Sequence, residues 1–217
     1  CDDTKLIAEK LSEFDNRVKV INNEKNLGAY VSRNIALNQV RGDYFTCHDA
    51  DDIAFPTRLE NQLKTIFEED ATSSICLMLR MSPDGEITRK TKPTSNSPDG
   101  YAKLCHISGM HNTDHFRKNF GYWDSVRVGG DSELLNRIKK SKSTKVCATK
   151  TIEYLALDSD SSATRDTGIG LFTTQGIIVR ENYKSSWLKW HETTGDTYLD
   201  FPQHVRKFHA PDEILNK

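Results

Sequence analysis

The chain lacks any apolar run approaching the ~20 residues that carry a helix across a bilayer. It also lacks a charge bias: Lys+Arg 30 stand against Asp+Glu 31, a formal net charge of -1. Nothing electrostatic therefore singles out nucleic acid or an anionic membrane as the main partner. Cysteine is scarce and scattered. Cys1, Cys47, Cys76, Cys105 and Cys147 show no CxxC spacing, which argues against a zinc site and against a disulfide scaffold. Cys47, Cys76 and Cys147 lie in strand-like runs and read as small buried hydrophobes, so a reducing, cytosolic setting is expected. The motifs GxSxG, GxxxxGK[ST] and GxGxxG are missing, so those nucleophile, P-loop and dinucleotide readings fall away. His48 abuts an acidic motif and is placed to orient it. The other six histidines read as surface or loop residues.

What is present suits one globular domain, or one domain with an appendage: 217 residues, 36% hydrophobic and 28% charged. Apolar periodicity predicts helices over Asp3–Phe14 (Leu6, Ile7, Leu11 and Phe14 on one side), Ala29–Val40, the stretch after Pro56, Thr113–Phe120 closed by Gly121, Asp131–Lys140 and Arg180–Glu192. Strands are expected at Arg17–Ile21, in the sheet interior, and at Tyr44–Cys47, Ser74–Met81 and Lys145–Leu157. Pro83-Asp84-Gly85 is a turn that returns the chain as a hairpin strand over Glu86–Arg89. Lys90–Gly100 and Asp158–Gly170 read as polar loops. This alternation predicts an α/β sheet, mostly parallel and flanked by helices. The domain proper is expected over 1–165, with a helical and irregular appendage over 166–217.

The most informative stretch is Gly42–Leu63. A short apolar run, Tyr44-Phe45-Thr46-Cys47, leads straight into Asp49, Asp51 and Asp52, and an amphipathic helix follows Pro56. Like charges this close repel unless something positive sits among them. Hard cations such as Mg²⁺ or Mn²⁺ take oxygen ligands, commonly one or two carboxylates plus substrate phosphates. A metal–diphosphate site at the carboxyl end of a strand fits these residues. So does a solvated acidic turn with Asp52 capping the next helix.

Taken in order, Asn26-x-Gly28, Ser32-Arg33-Asn34, Gly42-Asp43-Tyr44, Asp49-Ala50-Asp51-Asp52, Gly121-Tyr122-Trp123-Asp124 and Gly130-Asp131-Ser132-Glu133-Leu134 resemble a family 2 glycosyltransferase with the GT-A fold. The match covers about three quarters of the chain. The resemblance implies an enzyme that moves a sugar, with inversion, from a nucleotide-diphospho-sugar to a hydroxyl of a glycan or lipid-linked acceptor. Asp49 would touch the ribose or sugar side of the donor. Asp51 would hold the divalent metal, Mn²⁺ or Mg²⁺, and Asp52 would support the loop. Asn26, Gly28, Arg33 and Asn34 would complete the donor site, although a surface salt bridge for Arg33 and a capping role for Asn34 remain open. Asp131 would be the catalytic base, with Glu133 as its support. The family often carries an acid just before this base, and here Gly130 stands in that place. Asp131 also reads as an ordinary helix N-cap.

The family's first strands would precede Cys1, so the chain is expected to be incomplete at its N-terminus. Location is expected to be cytoplasmic, with peripheral membrane association left open. Asp158-x-Asp160-x-Ser162-x-Thr164 mimics a calcium loop but has Ala163 and Ile169 where glycine and glutamate are required. Tyr183, Trp187 and Trp190 read as a packing seam first and a sugar platform second. Two rivals stay in view: a catalytically silent glycan- or nucleotide-binding module, and a metal-dependent phosphohydrolase or nucleotidyltransferase.

Overall fold

A computed structural model describes residues 3–88, 93, 97–159 and 167–215. Residues 160–164 of the calcium-like pattern and most of the loop at 90–100 lie outside these residues. Six α-helices are described: α1 (Thr4–Phe14), α2 (Ala29–Leu37), α3 (Arg58–Glu68), α4 (Thr113–Asn119), α5 (Gly130–Lys140) and α6 (Thr174–Thr193). The strands are β1 (Tyr44–Phe45), β2 (Ile53–Ala54), β3 (Ser73–Met81), β4 (Ile87–Thr88), β5 (Lys103–Leu104), β6 (Met110–Asn112) and β7 (Val146–Leu157).

These strands form one sheet in the order β1-β6-β3-β7-β2, with β4 and β5 pairing onto β3. The expectation of a mostly parallel sheet is corrected. Within this sheet only the two long strands, β3 and β7, run parallel; the other strand pairs are antiparallel. For the β3–β4 pair the reason is connection length. Parallel neighbours need a crossover of a dozen or more residues. The turn through Pro83-Asp84-Gly85 is too short, and it sets Met81 opposite Ile87 in a hairpin, with Gly85 at φ 93.

A second correction concerns Arg17–Ile21. Its alternation reads as a strand, yet no described strand pairs with it. Val18, Val20 and Ile21 stay 37–38% exposed. Alternation becomes a strand only where a partner supplies the ladder. The same holds for α1: it buries no residue, and its apolar side, Leu6, Ile7, Leu11 and Phe14, faces solvent.

The main core lies among α2, α4, α5, α6 and the segment after α6. Tyr30, Leu37, Phe116, Trp123, Leu134, Ile138, Tyr183, Trp187, Leu199 and Phe208 meet there. Tyr183 and Trp187 are buried, so they serve as packing and not as a sugar platform. His111 and His191 are buried as well, against their expected surface placement. His111 donates to or accepts from Ser73 Oγ at 2.9 Å, and His191 reaches Glu133 at 2.9 Å.

Candidate active site

The acidic loop leaves β1 at Thr46 and is held from three directions. The first hold is a buried cation. Arg58 opens α3, is 3% exposed, and donates through Nη2 to Thr46 Oγ1 at 2.6 Å and to the Cys47 carbonyl at 2.8 Å. Its Nε bonds Gln62 Oε1 at 3.0 Å, and its plane lies over the Tyr154 ring. Sequence reasoning missed Arg58. A usable signal existed, because a positive charge in the first turn opposes the helix dipole and so calls for a specific set of partners.

The second hold comes from β7. The Asp49 N–H donates to the Tyr154 hydroxyl at 3.2 Å, and the Leu157 N–H donates to Asp52 Oδ1 at 2.8 Å. Burial raises the Asp52 carboxyl above its ordinary range, and the bonds from Leu157 and Tyr154 pull it partly back. Asp52 thus acts on the loop's shape. His48 stands within 3.1 Å of the Asp52 carbonyl, in keeping with an orienting role.

The third hold is Arg33 on α2, which pairs with Asp49 Oδ1 at 2.5 Å. Three residues earlier on the same helix, the Tyr30 hydroxyl donates to Asp131 Oδ1 at 3.0 Å. Residues at i and i+3 share a helix face, so α2 links the acidic loop to the start of α5. Gly28, with φ 76, sits just before α2, and Asn26 Oδ1 accepts the Gly28 N–H at 3.0 Å. Those two residues therefore shape the turn into the helix. Asn34 is used differently. Its amide is fully buried and exchanges two 2.9 Å bonds with the Trp123 backbone. Both ends of the amide are engaged, and in this structure Asn34 ties α2 to the 121–124 segment.

Asp131 is half-buried at the beginning of α5, beside a small cavity of about 20 Å³ that His106, Gly109 and Trp123 also line. The neighbouring acids are differently committed. Glu133 is fully buried against Arg137 and His191, each at 2.9 Å. Asp124 is fully buried with the Tyr183 hydroxyl at 2.8 Å and Arg206 at 2.5 Å. Burial raises its carboxyl, and Arg206 counters this. Of the three acids, Asp131 is the least buried.

Asp51 is exposed and makes no hydrogen bond or ion pair among the described residues. No cluster of three metal-ligating side chains exists among those residues. The donor set consequently fits a cation held by one carboxylate plus substrate phosphate oxygens, and does not fit an all-protein cage.

A model described as glycosyl transferase family 2 matches residues 1–127. The chain belongs to glycosyl transferase family 2. An uncharacterized glycosyltransferase of Haemophilus influenzae is 42% identical over 112 residues, which is 49% of this chain and 35% of that protein. An uncharacterized glycosyltransferase of Methanocaldococcus jannaschii is 39% identical over 88 residues, 40% of this chain and 30% of its own length. The chain thus spans about a third of these curated relatives. Among solved structures, S. aureus TarS 1-349 in complex with UDP-GlcNAc superimposes with a TM-score of 0.56 at 19% identity, covering 74% of this chain and 48% of that one. That likeness supports the glycosyltransferase-type α/β fold of this family 2 chain. No described helix is long and apolar enough to cross a membrane.

Proposed function

We propose that this family 2 chain carries the catalytic part of an inverting glycosyltransferase that uses a nucleotide-diphospho-sugar and a hydroxyl acceptor on a glycan or lipid-linked glycan. The observation that carries the reading is α2, which reaches Asp49 through Arg33 and Asp131 through Tyr30. A donor-side acid and an acceptor-side base are thereby set on one rigid element, as a single in-line displacement requires. In that displacement Asp131 takes the proton of the acceptor hydroxyl. The acceptor oxygen bonds to the anomeric carbon as the bond from that carbon to the diphosphate breaks, and the nucleoside diphosphate leaves.

Asp51, exposed and uncommitted, would hold Mn²⁺ or Mg²⁺. When bound, such an ion supplies charge neutralisation to the departing diphosphate. Arg33 would share the diphosphate charge, and Asp49 would contact the ribose or sugar side. Asp52, Asn26 and Gly28 would keep the donor loops in shape. A base separate from the acidic loop favours transfer over the phosphohydrolase and nucleotidyltransferase readings, and the accessible Asp131 favours an active enzyme over a silent binding module.

We assign α6 and the segment after it to the transferase domain itself and not to an appendage, because Tyr183, Trp187, Leu199 and Phe208 share one core with Tyr30, Leu134 and Ile138, and we place the enzyme in the cytoplasm, where the described cysteines stay free. Screening UDP-, GDP- and dTDP-sugars for Mn²⁺-dependent donor turnover tests the function. Sugar on an acceptor, or sugar released with a nucleoside diphosphate, supports it. Release of inorganic phosphate or pyrophosphate as first product contradicts it.

A further inference from the structure

A side chain at Gly130 would crowd a residue on another helix. A Cβ at this position would lie 3.0 Å from Tyr30 Cδ2 and 3.1 Å from Cε2, tighter than packed carbons normally approach. Backbone conformation is not the obstacle, since the positive φ of this glycine pair belongs to Gly129, at 81. The ring of Tyr30 occupies the volume that a side chain at 130 would need. The same ring ends in the hydroxyl that donates to Asp131 Oδ1 at 3.0 Å. That oxygen also accepts the Ser132 N–H at 2.8 Å, and Oδ2 makes no hydrogen bond among the described residues. Tyr30 is itself 7% exposed. Burial, and then the charge of Asp131, push its phenol well above the ordinary range, so it keeps its proton and remains a donor.

We infer that Tyr30 is the positioning residue for Asp131. Its ring stands in for a side chain at 130, and its hydroxyl fixes Oδ1 so that Oδ2 is presented to the acceptor. This rests on Asp131 being the base. It also extends that reading, because it names the group that aims the base. A carboxylate held at one oxygen presents the other in a single direction, which is where orientation contributes to rate.

The test is a double-mutant cycle on the full chain. Tyr30→Phe keeps the ring over Gly130 and removes only the hydroxyl. Turnover is read as UDP released from UDP-glucose, UDP-galactose and UDP-N-acetylglucosamine with Mn²⁺. The expected result is a kcat about tenfold lower, the scale of one charge-assisted hydrogen bond, at a donor KM changed by less than about twofold. Tyr30→Phe combined with Asp131→Asn should be no slower than Asp131→Asn alone, because the hydroxyl acts only through the carboxylate. The same four proteins in urea need no substrate. There the coupling between the two positions should be about tenfold or more in the unfolding constant. Wild-type kcat in Tyr30→Phe beside an inactive Asp131→Asn, or additive effects in urea, would overturn the inference and leave the base reading standing. Wild-type turnover by Asp131→Asn would overturn both.

Discussion

Arg33 and Asp49 form an ion pair of 2.5 Å between α2 and the acidic loop, and the guanidinium lies at the same time over the Tyr30 ring, 5.3 Å from its centroid. One cation therefore touches the acidic loop and the residue that contacts Asp131. If Arg33 also receives the donor diphosphate, Arg33→Ala should weaken UDP binding about ten- to a hundredfold, the range of a charge-assisted bond to phosphate. Titration calorimetry with UDP and Mn²⁺ measures this. Unchanged affinity would reduce Arg33 to a brace of the loop.

Asp51 should behave differently from Asp49. Asp51 is exposed and uncommitted, whereas Asp49 is engaged by Arg33 and by Tyr154. Asp51→Ala should abolish the Mn²⁺-dependent part of UDP binding with the fold intact. Asp49→Ala should weaken binding less. Calorimetry with and without Mn²⁺ separates the two, and a full Mn²⁺ response in Asp51→Ala would remove it from the metal assignment.

Asp131 lies in the first turn of α5, whose N-cap is Gly129 and not Asp131, and Asp131→Asn keeps the shape of the residue and deletes its basicity. A general base typically contributes ~10²–10⁴-fold in rate, so transfer should fall by about that much at unchanged donor affinity. Retained transfer in the folded, donor-saturated variant would mean that Asp131 only begins the helix. Glu133 and Asp124 would not be ready substitutes, because both are fully buried in ion pairs.

Glu133 should instead matter for stability. It is the shared anion of Arg137 and His191 and joins α5 to α6. Glu133→Gln leaves a buried guanidinium without its countercharge, and breaking such a pair costs ~3–5 kcal/mol. Urea unfolding measures the loss. A change below about 1 kcal/mol would show that the rest of the network satisfies Arg137 alone.

His111 predicts the acid limb of stability. Burial lowers its pKa from 6.5 to about 3. Between these values the unfolded chain takes up a proton that the folded one refuses, so stability is lost as pH falls through this window. The slope is ~1.4 kcal/mol per pH unit for one such group. His111→Gln should flatten the fall of the midpoint between pH 6 and about 4 in thermal scans. An unchanged slope would assign the acid limb to other groups.

Local chemistry by itself determined much of this protein. Apolar periodicity located α2 to α5 and the two long strands to within a few residues. Pro83-Asp84-Gly85 fixed a hairpin, and the crowding of Asp49, Asp51 and Asp52 marked the end of a strand as a site. These features are decided within a few residues of chain, where period, turn chemistry and like-charge repulsion act. Tertiary structure decided the rest. The direction of most strand pairs was not legible, because five of the strands have only two or three residues, too short to show a pattern, and every connection between paired strands but that of the β3–β4 hairpin is long enough to allow either direction. Arg17–Ile21 alternates like a strand but has no ladder, because pairing belongs to the partner as much as to the segment. Arg58 and Tyr30 look unremarkable in the sequence. One becomes the anchor of the acidic loop only when Thr46, Cys47 and Tyr154 close around it. The other meets Asp131 across 101 residues of chain, a contact that no local pattern encodes and that only the packing of α2 against α5 brings about.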